Sequence, residues 1–80
     1  MLQTERREAL ASKVRQAMKD AGISDSALAR TTGIPRPTLR RKVLGERDFS
    51  FAELAQVAVA LDIPSDALFD IATAASGSAA

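Results

Sequence analysis

The residues from Ser24 to Gly45, SDSALARTTGIPRPTLRRKVLG, constrain the fold of this chain more than any other stretch. They read as two short helices on either side of a tight turn. Ser24 is placed to cap the first, because its hydroxyl can accept from an unpaired backbone N–H one turn on. Leu28 and Ala29 make that helix's inner face. Gly33 ends it, since glycine enters left-handed backbone conformations without a Cβ penalty. Ile34 follows as an apolar plug. Pro35 and Pro37 open the second helix, where a missing N–H costs nothing. Pro37 also biases Arg36 away from helical angles, which allows the helix to begin one residue late. Leu39 and Val43, spaced i, i+4, give it one apolar stripe. Arg40 and Arg41 point away from that stripe, Arg36 stands at the helix start, and Gly45 closes the unit.

The charge pattern follows this unit. The chain carries a net charge of only +1, yet residues 30–47 hold Arg30, Arg36, Arg40, Arg41, Lys42 and Arg47 against Glu46, which gives +5. Residues 48–80 carry Asp48, Glu53, Asp62, Asp66 and Asp70 and no base, which gives −5. Such a polarity suits a molecule with one face turned to phosphate and a back turned away from it.

The flanking segments supply a core. Hydrophobic residues make up 46% of the chain and aromatics only 4%, so that core is aliphatic and favours closely packed helices. No alternating β-branched run is present, which argues against strands. Leu10, Val14, Ala17, Met18 and Ala21 recur at helical spacing in a first helix that Gly22 ends. Ser50 and Glu53 form an S-x-x-E capping box for a fourth helix. Its stripe is Phe51, Leu54, Ala55, Ala58 and Leu61, with Val57 beside it, and Asp62-Ile63-Pro64 breaks it. Ser65 is placed to cap a fifth helix bearing Leu68, Phe69, Ile71 and Ala72. Those four cover a wide arc, either buried against the domain or available to a second copy. Together these signals predict an all-α, five-helix domain over residues 1–73, with helices near 4–21, 24–31, 35–44, 50–61 and 65–74, and a disordered tail over 74–80.

Two helices about a glycine turn, the second with a basic outer face, make a helix-turn-helix. At Leu28, Ala29, Gly33, Ile34 and Leu39 the sequence resembles the phage repressor and Cro-like family, also called the XRE family. Ala29 sits where that family has a small residue, so that the two helices approach, and Gly33 follows at the turn. The continuation LGERDFSFAELAQVAVALDIPSDALF is similar to the family's loop, capped fourth helix and short fifth helix, so the resemblance covers roughly residues 8–70. It implies a compact lambda-repressor-like fold and sequence-specific binding of duplex operator DNA, with the helix at Pro35–Leu44 in the major groove. Because one short recognition helix reads few base pairs, and the fifth helix has spare apolar surface, a homodimer through that helix is expected, in the cytoplasm and on the nucleoid when bound.

On this basis Arg36, Pro37, Thr38, Arg40 and Arg41 are the expected base readers. The arginine fork matches guanine O6 and N7, the Thr38 hydroxyl suits a base edge or a phosphate, and Pro37 offers apolar surface to a thymine methyl. Phosphate contacts are expected from Ser24, Ser26, Lys42, Gly45 and Arg47, the loop holding the register. Two positions depart from the family. Asp25 stands where a glutamine often faces a phosphate, and an acid there repels the backbone. Lys42 stands where an apolar residue is usual. Either its stem packs and its ammonium snorkels outward, or the helix is rotated so that Val43 does the packing.

An enzyme is not expected. Acid–base work at neutral pH needs a group that titrates there, and the chain has no histidine. Asp66 and Asp70, spaced i, i+4, read as an exposed helix face. The serines lack a base partner, and no glycine-rich phosphate cradle is present. Without cysteine or histidine, neither disulfides nor the usual transition-metal sites are expected, and no cofactor is implied. No apolar run approaches the roughly 20 residues that span a bilayer, and MLQTERREAL does not read as a signal peptide. These residues leave no room for a separate ligand-binding domain, so the chain resembles Cro or a minimal repressor. The alternative is an antitoxin-like protein, since antitoxins resemble this family and also hold a toxin, for which the acidic last third would serve.

Overall fold

A computed structural model of the chain describes residues 3–73. Five helices follow in order: α1 (Gln3–Ala21), α2 (Asp25–Thr32), α3 (Arg36–Val43), α4 (Phe51–Leu61) and α5 (Ser65–Ala72). No strand occurs among the described residues. The expected tail, 74–80, lies outside them.

Local chemistry sets most helix ends. The Ser24 hydroxyl accepts from the Ala27 N–H at 3.2 Å. Gly33 adopts φ +77° and its N–H closes on the Ala29 carbonyl, so the turn uses the conformation that favours glycine. At α4 the capping box is complete: Ser50 Oγ accepts from the Glu53 N–H, and the Glu53 carboxylate accepts from the Ser50 N–H at 2.8 Å. Asp62 ends α4 in the left-handed region at φ +56°, a single-residue cost that an aspartate tolerates better than most side chains. Two starts differ from expectation. Pro35 is the N-cap of α3 and Arg36 its first helical residue, so the bias imposed by Pro37 does not displace Arg36. Ser65 does not cap α5; Pro64 occupies the cap position, no side chain bonds there, and Ser65 is already helical.

The core is one aliphatic cluster: Leu10, Val14 and Met18 of α1, Leu28 of α2, Ile34 of the turn, Leu39 and Val43 of α3, Leu54, Val57, Ala58 and Leu61 of α4, and Leu68 of α5. Thr32 is buried among them. Its hydroxyl donates to the Leu28 carbonyl and accepts from the Ile34 N–H, which stitches the α2–α3 turn. The α4 stripe is rotated from the expected one. Val57 is fully buried, whereas Phe51 is 60% exposed. The buried set Leu54, Val57, Ala58 and Leu61 runs i, i+3, i+4, i+7, and Phe51 in the first turn falls beyond the edge of the core. Its ring instead meets Phe69 edge-on at 5.7 Å. On α1, Ala21 is exposed and Ala11 is buried. Ala11 lies under the loop after α3, where a Cβ built at Gly45 would stand 3.5 Å from it. α5 packs on α1 and α4, burying Leu68 and leaving Phe69, Ile71 and Ala72 half-covered.

Candidate nucleic-acid interface

α3 is only 8 residues long, and an isolated helix of that length is marginal in water. It persists because Leu39 and Val43 are buried and because each of its last carbonyls has a partner. The Arg40, Arg41 and Lys42 carbonyls accept from the N–H groups of Leu44, Glu46 and Gly45 respectively. The Val43 carbonyl accepts from Arg15 Nη1 of α1 at 2.9 Å. The usual orphan acceptors of a helix end are thereby satisfied.

With Leu39 and Val43 inward, Arg36, Pro37, Thr38, Arg40 and Arg41 are all exposed. At about 100° per residue, Arg41 falls opposite the buried stripe, with Arg40 and Lys42 on the two flanks. The flanks are pinned. On one side Arg40 Nη1 donates to Asp25 Oδ2 of α2 at 2.7 Å. On the other, Lys42 Nζ donates to both carboxylate oxygens of Glu53 in α4, at 2.6 and 2.7 Å. Between them Pro37, Thr38 and Arg41, with Arg47 from the following loop, line an open cleft of about 250 Å³. Arg36, Arg41 and Arg47 form no intramolecular ion pair among the described residues.

The sequence-expected phosphate contacts fall into two groups. Ser24 is exposed, and while its oxygen accepts from Ala27 its O–H remains able to donate outward. Ser26 is half-buried two residues on, and Arg47 is exposed in the loop. Lys42 and Gly45 are engaged inside the molecule: the Lys42 ammonium with Glu53, and the Gly45 N–H with the Lys42 carbonyl. Of the two readings left open for Lys42, Val43 does pack, whereas the Lys42 ammonium does not reach outward but rests on Glu53, with its side chain 12% exposed. Burial alone would push the Glu53 carboxyl up; hydrogen bonds from Lys42 and from the Ser50 N–H outweigh it and hold the group below its ordinary value.

α1 also shapes this face. The Arg7 guanidinium donates to both Asp48 oxygens, at 2.8 and 3.3 Å, and ties the loop after α3 to α1. The hydrogen bond and charge of Asp48 raise the Arg7 pKa further above its already high value. Arg15 holds Glu8 at 2.7 Å as well as the Val43 carbonyl. One signal for this was present: Glu8, Ala11 and Arg15 share a helical face, apart from the stripe Leu10, Val14 and Met18. Nothing in the sequence pairs Arg40 with Asp25 or Lys42 with Glu53.

Two helices joined at Gly33, the second offering an arginine-bearing face over a buried aliphatic stripe, define a helix-turn-helix DNA-binding domain. The sequence model of the Cro/C1-type HTH DNA-binding domain matches residues 13–72, and the chain belongs to that family. A comparison with curated proteins gave no match. No helix among the described residues is long and apolar enough to cross a membrane, and no group of acids there is arranged to hold a metal ion.

Proposed function

We propose that this protein is a sequence-specific transcriptional regulator, a Cro-like or minimal repressor, that lays α3 in the major groove of duplex operator DNA. The observation that carries the reading is the exposed face of α3, where Pro37, Thr38 and Arg41 stand over the buried Leu39 and Val43. Arg41 reads a base edge, with Arg36 and Arg40 beside it. Ser24 and Ser26 at the start of α2 and Arg47 in the loop grip phosphates and set the register. Lys42 and Gly45 act from within, by keeping α3 and its loop in place.

The protein acts as a homodimer in the cytoplasm, on the nucleoid when bound. One short helix reads few base pairs, and Phe51, Phe69, Ile71 and Ala72 leave an apolar strip at the junction of α4 and α5 for a second copy. Two copies then meet half-sites about 34–36 Å apart. Selection of bound sites from random duplexes tests the reading. A palindromic motif is expected, and enrichment of no motif refutes sequence-specific binding. Sedimentation with the selected duplex gives the copy number, and a single copy refutes the dimer.

A further inference from the structure

We infer that Asp25 is a positioning residue for base readout, fixing the Arg40 guanidinium so that it accepts guanine and rejects the other bases. The inference rests on the reading that α3 lies in the major groove.

Asp25 is the first residue of α2, where the helix dipole favours a negative charge. Its side chain is 18% exposed, whereas the Arg40 side chain is 61% exposed. The 2.7 Å bond from Arg40 Nη1 to Asp25 Oδ2 therefore joins a short, largely covered carboxylate to a long, exposed fork. An exposed pair of this kind adds little to stability. Its effect is on orientation.

A guanidinium carries five N–H donors in one plane. With one Nη1 donor on Asp25, the fork still turns about that bond but cannot swing far from it, so the remaining donors sample a narrower range of directions. Guanine presents two acceptors, O6 and N7, that match two of those donors. Adenine presents N7 beside the N6 amino group, which is a donor facing a donor. A free arginine would swing away from that clash to a phosphate, whereas an anchored one cannot, so the wrong base leaves its donors unpaired. The Asp25 carboxylate also offsets the repulsion among Arg36, Arg40 and Arg41 on one short helix. An acid at a position that faces the DNA backbone thus has a use beyond repelling it.

The experiment uses the full chain and four forms: wild type, Asp25→Asn, Arg40→Ala and the double variant, with circular dichroism melts to establish that each is folded. Asp25→Ser serves as a second neutral variant should Asp25→Asn fold poorly. Each form is taken through site selection from random duplexes and then titrated against single-base variants at two salt concentrations. Wild type is expected to select a guanine at one position where Arg40→Ala shows no preference. Asp25→Asn is expected to lose about tenfold in discrimination at that same position and nowhere else, and the double variant to match Arg40→Ala.

If Asp25→Asn binds every duplex more tightly, with a salt slope steeper by about one, Asp25 merely screens Arg40 from phosphate and the inference is overturned. It is also overturned if Asp25→Asn keeps full discrimination at the position that Arg40→Ala alters. If wild type selects no motif, or Arg40→Ala changes no position, the inference falls together with the groove reading. That pattern is distinct from the first two, in which Arg40 still acts on the DNA.

Discussion

Replacing Lys42 by methionine tests whether the strap between α3 and α4 holds the DNA-reading helix in place. Methionine keeps most of the apolar stem and removes the ammonium. The lost contacts are the two bonds to Glu53, at 2.6 and 2.7 Å, between side chains 12% and 22% exposed. Fully exposed pairs contribute about 0.2–1 kcal/mol, and removing one partner of a fully buried pair costs about 3–5 kcal/mol. This pair lies between those limits, and Glu53 keeps the Ser50 N–H, so its carboxylate is not orphaned. A loss of about 1–2 kcal/mol follows, which for a domain of this size lowers Tm by roughly 4–16 °C. The pH dependence separates the charge from the packing. The Glu53 carboxyl is held below its ordinary value, so its contribution is present above the unfolded pKa and disappears as pH falls through the folded one. The Tm gap between wild type and Lys42→Met is therefore widest near neutral pH and shrinks as the pH is taken below the ordinary carboxylate range. Melts followed by circular dichroism at neutral pH and in acid provide the measurement. A gap that is absent at neutral pH, or that keeps its full size in acid, would show that the pair is a surface contact or that the loss is packing alone.

The remaining expectations concern the reading face and what supports it. Arg41→Ala should cost about 1–3 kcal/mol at one base position, while Arg47→Ala should weaken all duplexes alike and reduce the salt slope by about one; fluorescence anisotropy against site variants at several salt concentrations distinguishes them, and equal losses across all variants for Arg41→Ala would make it a backbone contact. Leu39→Ala, at a fully buried site under α3, should lower unfolding free energy by about 2–5 kcal/mol in urea titrations, and a loss below about 1 kcal/mol would mean that the helix repacks freely. Gly33→Ala meets no atom within 4 Å of the added Cβ, so its cost is the left-handed backbone alone, about 1–2 kcal/mol; Gly33→Asn should cost less, and equal melting of both variants would contradict that origin.

The elements that were legible in the sequence are those whose cause is local. Ser24 with Ala27, Gly33 at the turn and Ser50 with Glu53 are each decided within a few residues, and all three form as read. The apolar stripes were legible to within a rotation. On α4, two overlapping sets with helical spacing compete, one led by Phe51 and one containing Val57, and only the docking of α5 and α2 selects the second. Ser65 failed as a cap because Pro64 already supplies the extended backbone that precedes the helix, which places Ser65 one residue inside. The ion pairs were not legible. Arg7 and Asp48 are 41 residues apart, Arg40 and Asp25 are 15 apart, and Lys42 and Glu53 are 11 apart. Charges brought together by the fold leave no periodic trace, and Arg40 and Lys42 each had a reading as a DNA contact that named no acid beside it.

These hidden contacts converge on α3. Asp25 holds one flank from α2, Glu53 reaches the other from α4, and Arg15 of α1 takes the last carbonyl, so three other helices each reach α3 with one polar group. Their combined contribution to stability is small beside the aliphatic cluster below. What they restrict is rotation and sliding of a short helix on a smooth stripe of only Leu39 and Val43, motions that apolar packing opposes weakly because it is non-directional. A base edge is read by hydrogen bonds that weaken steeply with misalignment, so a helix free to roll on that stripe would bind phosphate yet lose its sequence preference. On the proposed reading, the basic charge of residues 30–47 serves attraction to DNA, and the three polar ties set the angle at which Arg41 is presented.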